Sequence, residues 1–125
     1  MFSLGLALLM FTVAGLGAMH LVRVSKRRTE EEMGLAPELE ETCGCRIDST
    51  NCTWPFVRHS IYENFVIIKY IGGTYILPKE GLSVETSDGH FSSGIQYTSP
   101  KYPERELRVW TKNKDKILEL IKNDA

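Results

Sequence analysis

Every cysteine of the chain lies in one short stretch, ETCGCRIDSTNC, as Cys43, Cys45 and Cys52, and His59 follows seven residues later. Three thiolates and one imidazole match tetrahedral zinc in number and type, and thiolates also suit iron. The spacing is C-x-C followed by longer gaps, which matches no strong zinc signature. A disulfide between Cys43 and Cys45 would be strained at so short a separation. Outside a reducing compartment Cys52 could pair with either of them, and Asn51-Cys52-Thr53 would then be a formal glycosylation acceptor. Reduced thiols without a catalytic role are the preferred reading, and a metal site on Cys43, Cys45, Cys52 and His59 is the second. The choice turns on where the segment sits, and so on the elements around it.

The stretch MFSLGLALLMFTVAGLGAMHLV opens the chain without a charged side chain before Arg23. At about 1.5 Å per residue it would reach roughly 33 Å as a helix, against a bilayer core of about 30 Å. Residues 1–23 are therefore expected to form a single transmembrane anchor rather than a signal peptide, since no basic n-region precedes the apolar core. Arg23, Lys26, Arg27 and Arg28 flank it on one side. That predicts an N-terminus outside and a C-terminal domain in the cytoplasm, where thiols stay reduced. Ala14, Gly15 and Ala18 would allow close contact with another helix, and His20 would sit at the interface.

Residues 24–53 change character. They are rich in glutamate and broken by Gly34 and Pro37, and Thr29 with Glu32 gives a capping-box pattern. The expected role is a solvated juxtamembrane linker that carries the cysteine cluster. From residue 54 the pattern becomes β: NFVIIK is rich in β-branched and aromatic residues, TYIL returns from it, LSVET and GIQYT alternate, and ELRVWT sets Leu107 and Val109 on one face, with turns at Gly72-Gly73, PKEG and Asp88-Gly89. A further strand near Phe56–Ser60 is weaker. Asn113 then offers an N-cap to a helix with apolar residues at Ile117, Leu118 and Ile121. The expected fold is α+β: an N-terminal transmembrane helix, then an independently folding bent antiparallel sheet of about five or six strands over 54–125, with a C-terminal helix.

The run IIKYIGGTYILPKEGLSVETSDG, followed by GIQYT and ELRVWTKNKDKILELIKN, resembles the bacterial pleckstrin-homology-like domains over roughly residues 56–123. The resemblance implies a bent sheet closed by a C-terminal helix, in a binding or scaffolding role. Lipid-binding members carry basic residues in the first hairpin loop. Here that loop is Ile71-Gly72-Gly73 with only Lys69 nearby, which argues against phosphoinositide recognition.

With 15 basic and 16 acidic residues the chain has no field to draw nucleic acid. Lys101, Arg105, Arg108, Lys112 and Lys114 are interleaved with acidic residues and read as a solvated face. No enzymatic activity is expected. There is no glycine-rich phosphate loop or metalloprotease motif, and Asp88, His90, Ser92 and Ser93 are crowded into one short loop that is ill suited to a triad. Any exposed aromatic side chains of the sheet would mark a partner surface. The function expected is a membrane-anchored cytoplasmic interaction or scaffold module. Its partners would be the bilayer through residues 1–23 and another membrane protein or a second copy of the chain. Alternatives are a small membrane protein that uses the cysteines with zinc or iron, and a lipid-surface binder.

Overall fold

The structure, a computed structural model, describes residues 12–20, 22–23, 26–86 and 94–122. Among these, seven strands form one antiparallel sheet: β1 (Leu39–Ile47), β2 (Thr50–Ile61), β3 (Phe65–Tyr70), β4 (Gly73–Pro78), β5 (Ser83–Thr86), β6 (Gly94–Thr98) and β7 (Leu107–Trp110). A terminal helix, Lys114–Lys122, follows, and a single 3-10 turn, Glu30–Glu32, precedes β1. The spatial order is β4-β3-β2-β1-β7-β6-β5.

The long strand β1 sits in the middle. Over Leu39–Cys43 it pairs with the far half of β2, and over Gly44–Ile47 it pairs with β7. Tight two-residue turns close the hairpins on either side of β2 and β3. At the β1–β2 turn Asp48 takes a φ of 55°, a left-handed conformation that short polar side chains tolerate. Its carboxylate then accepts from the Glu106 amide (3.0 Å) and Arg105 Nη1 (2.5 Å), so the tip of the hairpin is tied to the start of β7. The core combines Ile47, Val57 and Ile61 of the long hairpin with Val66, Leu77, Ile95, Leu107 and Val109. Ile117 and Ile121, one helical turn apart, bury the inner side of the terminal helix against it.

Three expectations are corrected here. Among the described residues no helix is long and apolar enough to cross a membrane. The anchor over residues 1–23, the single-pass topology and the localisation built on it are therefore overturned. Residues 1–11 and 21 of that expected span lie outside the described residues. Ala14, Gly15 and Ala18 are helical and exposed, and a side chain at Gly15 would meet nothing within 4 Å.

The sheet also has seven strands where five or six were expected, because the segment read as a linker supplies β1 and the start of β2. Finally, the basic flank is partly absorbed by the domain. Arg23 and Lys26 are exposed, but Arg28 makes a double hydrogen bond to Glu40 (2.6 and 2.9 Å). The carbonyl of Arg27 accepts from Arg58 and Lys69, both at 2.8 Å.

That docking is centred on Glu32, which is buried. Its carboxylate forms a bidentate pair with Arg58 and accepts from Tyr62 Oη (2.8 Å) and the Thr29 amide (2.7 Å). The last of these is the reach-back of the expected capping box. Burial, the largest influence, pushes the Glu32 carboxyl up. The hydrogen bonds from Arg58, Thr29 and Tyr62, with the charge of Arg58, outweigh it and bring the group to about 2.

Candidate binding cleft

The cysteine segment and the two tryptophans meet where the long hairpin loses its register. Between the pairs Cys43↔Val57 and Cys45↔Cys52, β1 advances by two residues and β2 by five (57 − 52). The three surplus residues of β2 bulge outward around Trp54-Pro55. A bulge is where a proline is tolerated in a strand, because no ladder donor is needed there. Trp54 is consequently 70% exposed.

Trp110 forms the opposite wall. It ends β7 and is the register partner of Gly44 on one side and Gly94 on the other. Both glycines are required by its ring. A Cβ at Gly94 would lie 2.6 Å from Trp110 Cε3, and one at Gly44 would lie 3.2 Å from Trp110 Cδ1 and 2.9 Å from the Cys52 carbonyl oxygen. Between the two walls lies a cleft of about 800 Å³, floored by Cys43, Gly44 and Cys52 and bounded by Glu41 and Asn113.

Beyond the Gly44↔Trp110 pair β1 and β7 part, and the carboxylate of Glu41 bridges the gap. Thr111 Oγ1 (2.8 Å) and Asn113 Nδ2 (2.6 Å) both donate to Glu41 Oε2. The other oxygen lies 2.9 Å from His59 Nδ1, and His59 Nε2 lies 2.7 Å from the Tyr97 hydroxyl. A carboxylate can only accept, so Nδ1 carries the proton and, in the neutral ring, Nε2 accepts from Tyr97. Burial raises the Glu41 carboxyl, but the hydrogen bonds of His59, Thr111 and Asn113 prevail and hold it below the ordinary carboxylate value. Burial pushes the Tyr97 phenol well above its usual range, with the charge of Glu41 adding to it. Replacing Asn113 by Ala removes one charge-assisted bond from this bridge. It should cost about 1 kcal/mol of unfolding free energy in urea, with little change if the bridge is dispensable.

The residues proposed for a metal do not assemble into a site. His59 spends both ring nitrogens on Glu41 and Tyr97. Burial, reinforced by the neighbouring Glu41 charge, raises the Cys43 thiol far above its ordinary value, and burial beside Cys52 pushes Cys45 up to about 12. Zinc and iron take thiolates, which these surroundings disfavour. Among the described residues no group of three His, Cys, Asp or Glu side chains is placed to hold an ion. Asp88, His90, Ser92 and Ser93 lie outside the described residues. Of the late basic cluster, Arg105 pairs with Asp48 and Arg108 with Glu106 (2.8 Å), while Lys101 lies over the ring of Tyr102.

Nothing in the sequence paired Trp54 with Trp110, and the structure brings both to one cleft. The signal available was the pair of glycines, Gly44 and Gly94, that a large ring needs as strand neighbours. Compared with protein-family models, curated proteins and solved structures, the chain shows no match. A functional reading therefore has to stand on the geometry of this cleft.

Proposed function

We propose that the domain is a protein-interaction module that holds an extended segment of its partner in the cleft between Trp54 and Trp110. The exposure of Trp54 carries this reading. A large aromatic side chain held out at the mouth of an apolar-floored cleft is the usual form of an interface anchor. The polar rim of Glu41, Thr42, Asn51 and Asn113 offers hydrogen-bonding groups around it. The resemblance to bacterial pleckstrin-homology-like domains, with the binding role it implies, belongs to the same reading. A metal-dependent role is less well supported, since burial raises the thiols of Cys43 and Cys45 and His59 is already engaged.

The test is selection of displayed random peptides on the full-length chain, followed by titration against wild type and Trp54→Ala. Trp54→Ala should leave stability within about 0.5 kcal/mol, as an exposed substitution does, and should weaken the selected peptides at least about tenfold, or 1.4 kcal/mol. Peptides that bind both proteins equally would place recognition elsewhere.

A further inference from the structure

Cys45 and Cys52 face each other directly across the β1–β2 hairpin, as register partners next to the bulge. Directly opposed residues of an antiparallel pair have Cβ atoms about 4.5–5.5 Å apart, against about 3.5–4.5 Å in a disulfide. Closing the gap needs a movement of about an ångström, and a register irregularity in the adjoining residues gives the strand slack. Cys43 is a poor partner for Cys45, because Cβ atoms two residues apart on one strand are about 6.6 Å apart, beyond the roughly 3.5–4.5 Å of a disulfide. It is also a poorer partner for Cys52, since its own register partner is Val57.

Access differs in a useful way. Cys45 is completely buried, whereas Cys52 is half-buried and lines the cleft. A small thiol reagent can therefore reach Cys52 and not Cys45.

We infer that Cys45 and Cys52 form a redox-active pair that closes to an intramolecular disulfide by exchange with a low-molecular-weight disulfide such as oxidised glutathione. The Cys52 thiolate attacks one sulfur of the small disulfide, forms a mixed disulfide and releases one small thiolate. The Cys45 sulfur, losing its proton to that thiolate or to water, then attacks Cys52 Sγ and expels the second small thiol. Two protein thiols are oxidised, and one small disulfide is reduced to two thiols. This chemistry is independent of what the cleft binds.

The experiment uses the full-length chain equilibrated with graded mixtures of oxidised and reduced glutathione, alkylated and digested with trypsin. Cleavage at Arg28, Arg46 and Arg58 separates Cys43 and Cys45 from Cys52. Titratable thiols should fall from three to one. The peptides 29–46 and 47–58 should be joined, with the alkyl label on Cys43. Cys45→Ala should instead retain glutathione on Cys52, and Cys43→Ala should still close the bridge. A label on Cys45, glutathione persisting on Cys52 of the wild type, a Cys52 bridge between two chains, or three free thiols across the whole range would each overturn the assignment. The mapping on the wild-type chain decides the matter even if a variant fails to fold.

Discussion

Arg58→Ala is expected to destabilise the domain by about 3–5 kcal/mol, the usual effect of removing one partner from a buried ion pair. Arg58 and Glu32 have side chains only 4% and 0% exposed. The guanidinium meets both oxygens of the Glu32 carboxylate, the Ser60 hydroxyl and the Arg27 carbonyl. Without it the buried carboxylate loses its bidentate partner, while Arg28, 3.5 Å away, is largely committed to Glu40. Replacing both partners by apolar residues, Glu32→Leu with Arg58→Met, should recover much of the loss, because no charge is then left to desolvate. Urea unfolding of the two single variants and the double variant measures this directly. A double variant no more stable than Arg58→Ala would show that the segment 26–38 is held by something other than this pair.

The same group gives the domain an acid-sensitive element. The folded-state value of Glu32, about 2, is depressed from an ordinary 4.5. Its contribution to stability is fully present above about pH 4.5 and is lost as pH falls towards 2. Glu32→Gln should flatten the stability profile within that window and leave the slope near neutrality unchanged. Equal slopes for variant and wild type between those limits would contradict the assignment.

Gly94→Val is expected to cost about 1–3 kcal/mol, in the range of overpacked positions. The Cβ alone would come within 2.8 Å of the Val109 carbonyl oxygen as well as 2.6 Å of the Trp110 ring. The ring can turn aside, but the backbone carbonyl is fixed in the β6–β7 ladder. Trp110→Ala in the same chain should therefore relieve only part of the loss, a partial coupling that a double-mutant cycle reads out. Displacing Trp110 also shifts one wall of the cleft, so the intrinsic fluorescence of the folded variant should change. An unshifted spectrum with full stability would mean that the strand pair opens more readily than its packing suggests.

What could be read from the sequence divides sharply along the chain. Strands β3 to β7 are rich in β-branched and aromatic residues, as in FVIIKY or GIQYT, and glycine or proline stands between them in the sequence, so pattern and strand positions agree there. β1 was hidden because its sequence, LEETCGCRI, reads as polar. Glu41 points inward only because His59, Thr111 and Asn113 are waiting for it, and those partners lie 18 to 72 residues away. Glu32 and Arg58 pose the same difficulty: each looks like a surface residue until the other is placed. The β1–β2 turn, Asp48-Ser49, lacks the glycine that marks a hairpin. In the cleft, the cysteine cluster could be seen, but not that Cys52 lies opposite Cys45. That alignment depends on the surplus residues around Trp54, and no local pattern predicts the length of a bulge.

In the strand order among the described residues, β1 alone joins the β2–β3–β4 side to the β7–β6–β5 side. Melting either side strips backbone partners from β1 and so weakens its hold on the other. Denaturation should accordingly proceed as a single event, with coincident transitions whether followed at Trp54 by fluorescence or through the whole backbone by circular dichroism. In native-state hydrogen exchange, the amides of Cys45, Arg46 and Ile47, flanked by partners on both sides, should open only with the whole molecule. A cut before residue 54, which would spare every strand from β3 onward, should leave two three-stranded remnants without the element that makes them cooperate.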